Sequence, residues 1–131
     1  MKIYFIRHGI AEVFADSDFD RELTLEGKIK LNDTFREFAK IFNEDDYVVY
    51  SSPLVRAVQT SEILCSKLDC DFEIKDYLSG FSLEELVSEL EKDGCSAYLL
   101  VTHEPFISQA IYDKTGKYEN ISRGSIHILE I

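Results

Sequence analysis

Hydrophobic and polar positions follow two rhythms along this chain. The apolar runs Lys2–Ile6, Tyr47–Tyr50 and Ala97–Thr102 read as strands buried on both faces, which need no polar alternation. Longer stretches with helical spacing lie between them. Over Thr24–Phe42, the residues Leu31, Phe35, Phe38 and Phe42 recur on one helical face, and Thr24 can cap the first turn. A second helix is predicted over roughly Leu54–Leu68, after Ser51-Ser52-Pro53. Phe72–Ile74 is a weaker strand. Ser82-Leu83-Glu84-Glu85 forms a capping box opening a helix to about Glu91. His103-Glu104-Pro105 turns into a short helix near Phe106–Tyr112, and Ser125–Ile131 alternates as an edge strand does.

Strands and helices in alternation predict an α/β fold, a three-layer α/β/α sandwich whose sheet is covered on both faces. Ligands in such folds collect at the carboxyl ends of the strands. Arg7, His8 and Gly9 follow the first strand, Ser51, Ser52 and then Arg56 follow the second, and His103 follows the fourth. Two arginines and two histidines therefore converge on one end of the sheet.

Composition narrows the choice of partner. The 131 residues fit one domain, and the formal net charge of -11 opposes nucleic acid and anionic membrane surfaces as general partners. Any bound anion must be held by local positive charge. Three cysteines without a CxxC pair point to a reducing compartment and to packing rather than redox roles. Arg7 and His8 interrupt the N-terminal apolar run, and no run reaches the length of a membrane span, so a soluble cytoplasmic monomer is expected.

Arg7-His8-Gly9 directly after a strand is the strongest chemical signal. A neutral imidazole is a competent nucleophile toward phosphorus, and a neighbouring guanidinium can fork onto two phosphoryl oxygens. Gly9 permits close backbone approach and leaves a carbonyl to fix the imidazole tautomer. The plain alternative, a surface turn, explains neither the strand context nor the other cations.

These residues resemble the histidine phosphatase (phosphoglycerate-mutase-like) superfamily, in which an N-terminal RHG supplies the nucleophile. Ser52-Pro53-Leu54-Val55-Arg56-Ala57-Val58-Gln59-Thr60 resembles that family's S-P-x-x-R-A-x-Q-T segment, with its second phosphate-binding arginine. Thr102-His103-Glu104-Pro105 resembles the segment of its second histidine, and Arg21-Glu22-Leu23-Thr24-x-x-Gly27 the R-x-L-T-x-x-G of its smallest members. Matches run in order from the first strand past residue 105. The short length is similar to SixA-type phosphohistidine phosphatases, whose open site suits a phosphoryl group displayed on another protein.

The resemblance implies a mostly parallel mixed sheet with the last strand antiparallel at the edge. It also implies attack by His8 with no metal or other cofactor, and an oxyanion clamp of Arg7, Arg56 and a protonated His103. Arg21 is either a further phosphate contact or a solvated turn residue, and Ser52 a substrate contact at the strand end. Asp76 stands where relatives place a carboxyl acid, one methylene shorter, with Glu84 and Glu85 as alternatives. Glu104, beside the second histidine, either raises the pKa of His103 or repels an anion. His127 reads as a surface histidine. The substrate is expected to be a phosphorylated protein such as a histidine-containing phosphotransfer domain. A small phosphate ester, or phosphate binding without turnover, is the alternative.

Overall fold

The computed structural model describes residues Met1–Ile131. The Lys2–Arg7 run forms β1, and its interior positions are all buried because the strand is covered on both faces. Helix α1 spans Leu25–Ile41, with the Thr24 hydroxyl accepting from the Gly27 amide at 2.8 Å. Strand β2 (Tyr47–Ser51) leads through Leu54 into α2 (Val55–Leu68), which ends at Asp69 in the left-handed region, φ 54°. Strand β3 is only Glu73–Ile74, and a 3-10 turn, Asp76–Ser79, follows it. The capping box at Ser82 opens α3 (Leu83–Glu91). Strand β4 (Ala97–Thr102) is wholly buried, α4 (Phe106–Thr115) runs to a left-handed Gly116, and β5 is Ile126–Glu130.

The sheet order is β3-β2-β4-β1-β5. Strands β1, β2, β3 and β4 pair in parallel, while β5 runs antiparallel to β1 at the edge. Alternate residues of the strands feed two cores. Tyr4, Ile6, Leu99 and Val101 pack with Leu31, Phe35 and Phe38 of α1 and Ala57 and Leu64 of α2. Ile3, Phe5, Tyr98 and Leu100 pack on the opposite face with Leu86 and Leu90 of α3 and Ile107 and Ile111 of α4. The result is the three-layer sandwich, and burial of this apolar area is its main stabilising term. No helix is long and apolar enough to cross a membrane.

Two features lie outside the sequence reading. The 3-10 turn follows a strand too short to announce itself, and α4 extends three residues past Tyr112 to its glycine stop. The segment between β1 and α1 is pinned at its base by an Ala11–Leu23 bridge and a Glu12 amide bond to the Glu22 carbonyl.

Gly27 joins this segment to α1 by close approach. A Cβ built on it would lie 2.5 Å from the Ile10 carbonyl oxygen, a backbone atom that cannot step aside cheaply. Gly27→Ala should therefore destabilise by about 1–3 kcal/mol through overpacking, outweighing the roughly 1 kcal/mol that alanine's helix propensity offers. A rise in the thermal midpoint of the variant would contradict this account.

Candidate active site

The carboxyl ends of β1, β2 and β4 meet at a cleft of about 250 Å³ lined by Arg7, His8, Ala11, Arg21, Arg56, His103, Glu104 and Arg123. Four of the chain's five arginines thus face one small space in a protein of net charge -11. His8 and His103 stand with ring centroids 5.1 Å apart.

The chain's exit from β1 positions His8. The His8 amide donates to the Thr102 carbonyl, continuing the pairing with β4 past the strand end. The His8 Nδ1–H donates to the Gly9 carbonyl at 2.8 Å, which leaves the Nε2 lone pair unprotonated. Gly9 in turn donates its amide to Thr60 Oγ1 at 3.1 Å, and that hydroxyl donates to the Arg56 carbonyl at 2.7 Å. A Cβ on Gly9 would lie 2.7 Å from Leu31 Cδ1, so a side chain there would make Leu31 shift. Gly9 and Ser52 do not line the cleft; they hold the two histidines. His103 Nε2 pairs with Ser52 Oγ at 2.6 Å.

The arginines are held from behind. Arg7 donates to the Ile121 carbonyl at 2.7 Å. Arg56 donates to the Asp18 carbonyl at 2.8 Å and contacts its carboxylate at 3.3 Å. Arg21 donates to the other Asp18 carboxylate oxygen at 3.0 Å and to the Glu12 carbonyl at 3.1 Å. Buried side-chain atoms without a partner are Arg7 Nε, Arg56 Nε, His103 Nδ1 and Ser61 Oγ, so three of the four belong to the cleft. Unpaired buried donors are costly, and an oxyanion is the group that satisfies cationic ones.

Both histidines are neutral in the free protein. Burial, reinforced by the charges of Arg56, Arg7 and Arg21, lowers His8 to about 4 despite the Gly9 bond. Burial, then His8, Arg56 and Arg7, lowers His103 to about 3. A protonated His103 is therefore not the state of the free site, so the protonated clamp expected from the resemblance requires a bound anion, and Glu104 does not offset the burial. The Glu104 carboxylate instead accepts from the Ser108 amide at 2.7 Å in the first turn of α4 and favours the charged form of Arg7.

Asp76 is exposed on the 3-10 turn and outside the cleft lining. Glu85 closes the α3 capping box, and Glu84 borders a separate hollow between α3 and α4. Glu104 is the one carboxylate lining the cleft. His127 lies on β5, with Nε2 paired to Ser125 Oγ at 2.8 Å. Sequence reasoning missed Asp18 and Arg123. The loop carrying Arg123 is fixed by the Gly124 amide, which donates to the Arg7 and His8 carbonyls from a left-handed glycine at φ 79°. No group of three or more His, Cys, Asp or Glu is placed to hold a metal ion.

A strand-end histidine ringed by arginines in a three-layer α/β sandwich is an arrangement suited to holding a phosphoryl group. A family model of the histidine phosphatase superfamily (branch 1) matches residues 3–86, and the chain belongs to that superfamily. It is 28% identical over 135 residues to the phosphohistidine phosphatase SixA homologue of Haemophilus influenzae, covering 93% of this chain and 82% of that relative. The fold is shared with the protein histidine phosphatase SixA complexed with tungstate, at TM-score 0.85 and 22% identity over 100% of this chain and 88% of the other. It is shared too with the alpha-ribazole phosphatase of Shigella flexneri, at TM-score 0.78 and 16% identity over 100% and 91% of the two chains.

A histidine whose folded pKa lies below its unfolded value takes up a proton on unfolding. His8 and His103 therefore withdraw stability as pH falls from about 6.5 toward 4, and withdraw none well above 6.5. In an NMR titration of the free protein, both ring signals should move only near their lowered midpoints of about 4 and about 3. Titration of either ring at an ordinary histidine value of about 6.5 would refute the burial argument.

Proposed function

We propose that the protein is a cytoplasmic phosphatase that removes the phosphoryl group from phosphohistidine on another protein. The observation that carries this reading is the convergence of Arg7, Arg21, Arg56 and Arg123 on a histidine whose Nδ1–H is engaged by the Gly9 carbonyl. His8 Nε2 attacks phosphorus in line, a new P–N bond forms, and the bond to the substrate nitrogen breaks. The substrate imidazole departs with that electron pair and takes a proton. Water then attacks the phosphoryl group on His8, the P–N bond breaks, and inorganic phosphate leaves as His8 regains its lone pair. Arg7 and Arg56 hold the equatorial oxygens in both steps, which is where phosphoryl transfer gains most of its acceleration. A bound dianion also raises the pKa of His103, so its cationic form arises on binding.

The cleft favours this substrate over an alkyl ester. An imidazole leaving group needs less acid assistance than an alkoxide, and the carboxyl supply here is a single Glu104 already engaged by Ser108. A small phosphate ester is the second reading, with Glu104 as the acid.

Phosphate release from a histidine-phosphorylated phosphotransfer domain and from para-nitrophenyl phosphate separates the two. The domain should be turned over much faster, and His8→Ala should abolish release from both. Arg56→Ala should slow release by about two to three decades, the usual effect of losing one charge-assisted donor. Turnover of the ester alone would transfer the assignment to the second reading. In that event Glu104→Gln, not Asp76→Asn, should depress the ester rate.

A further inference from the structure

The segment between β1 and α1 shows its apolar side chains to solvent beside the cleft. Phe14 is 90% exposed, Val13 76% and Phe19 47%. Looseness does not explain this. The segment is closed at its base by the Ala11–Leu23 bridge. It is tied to α2 by the Leu23 amide on Gln59 at 2.7 Å, by Gln59 on Glu22 at 2.9 Å and by the Val55 amide on the Phe19 carbonyl at 3.1 Å. Ser17 donates to Asp20 at 2.9 Å and Arg21 to Asp18 at 3.0 Å, bracing the tip as well. A braced loop that keeps a phenylalanine in water serves no packing purpose in the fold.

Val13, Phe14, Ala15, Ser17, Asp18 and Arg21 enclose a shallow hollow of about 380 Å³. Arg21 lines this hollow and the cleft alike, so the two adjoin. The cleft, at about 250 Å³, has room for a phosphoryl group and the ring bearing it, and not for what lies behind them. Whatever carries the group must then rest on the rim that Val13 and Phe14 form.

Charge defines that carrier further. Residues 12–22 include Glu12, Asp16, Asp18, Asp20 and Glu22 against Arg21 alone. Asp18, Asp20 and Glu22 are engaged within the protein, whereas Glu12 and Asp16 are exposed and make no side-chain hydrogen bond or ion pair. An apolar patch edged by free carboxylates complements an apolar surface edged by lysine or arginine.

We propose that this loop is the docking surface for the protein substrate, a phosphoprotein whose phosphorylated histidine lies next to an apolar patch with basic residues at its margin. The inference rests on the phosphohistidine reading above. Exposed aromatics are the residue type that dominates such contacts.

The test compares wild type with the double variant Val13→Ser, Phe14→Ser on two substrates. One is N-phosphoimidazole, and the other is a set of histidine-phosphorylated phosphotransfer domains differing in the charge around the histidine. The expected result is a fall of about tenfold or more in kcat/KM on the best domain, carried mainly by KM, with N-phosphoimidazole turnover and thermal midpoint unchanged. Glu12→Lys, Asp16→Lys should lower kcat/KM on domains with a basic margin and flatten its dependence on salt. Undiminished turnover of every domain by Val13→Ser, Phe14→Ser would overturn the docking surface alone. Wild type that hydrolyses N-phosphoimidazole but no domain would overturn the phosphohistidine-protein reading and the docking surface together. A wild-type dimer in sedimentation that the same variant dissociates would assign the patch to a second copy of the chain. Binding of wild type, but not the variant, to phosphatidylcholine–phosphatidylglycerol vesicles would assign it to a membrane. Either assignment overturns the proposal.

Discussion

The cleft depends on the hydrogen bonds that hold the chain as it leaves β1. The His8 amide bonds the Thr102 carbonyl on one side, and the Gly124 amide bonds the Arg7 and His8 carbonyls on the other. One peptide segment is thereby fixed between the ends of β4 and β5, and the side chains of Arg7 and His8 have no freedom to drift apart. The Gly9 carbonyl and Thr60 hydroxyl extend the arrangement to α2, from which Arg56 projects. Backbone bonds at strand ends are rigid, so the precision of the site comes from the sheet rather than from the side chains.

Gathering four cations in a cleft of about 250 Å³ has an electrostatic cost that the remainder of the chain offsets only in part. Asp18 braces Arg21 and Arg56, and Glu104 favours the charge of Arg7. The residual positive potential has two consequences. It reinforces the burial that keeps both histidines neutral, and it leaves an incoming anion as the best available counterion. An unpaired Nε on each of Arg7 and Arg56 fits the same account. On a chain of net charge -11, four of the five arginines line this one cleft, which favours anion binding there.

The parts of this arrangement legible in the sequence are those fixed locally. Arg7, His8 and His103 directly follow apolar runs, and Arg56 opens a helix, so strand-end geometry alone brings them together. The antiparallel final strand came only from family resemblance, since Ile126–Glu130 alternates the same way in either direction. Arg123 was not legible for the same reason. It sits in an ordinary-looking Ser-Arg-Gly turn, and only the return of β5 alongside β1 carries it back to the cleft. Asp18 looked like one acid among five in an acidic stretch, because nothing in its spacing reveals the 38-residue separation from Arg56. The neutral state of His103 in the free site was not legible, because burial, the largest effect on it, is a property of the fold.

The neutrality of the two histidines bears on how nucleophile and clamp coexist. A cationic His103 in the free site would add to the charges of Arg7 and Arg56 around His8 and draw electron density from the lone pair that must attack. Keeping His103 neutral until the dianion arrives removes that conflict, and its unpaired Nδ1 then has a partner in the group that raised its pKa. Under the proposed function, the same sequence of events would favour displaced imidazole over displaced alkoxide. On that reading, a His103 charged on binding would supply the proton that the leaving imidazole takes. An alkoxide would need its proton earlier and from a stronger acid, and Glu104, bonded to the α4 amide, is poorly disposed to give one. On the proposed reading, a preference for a phosphoramidate would follow from where the protons are held before the substrate binds.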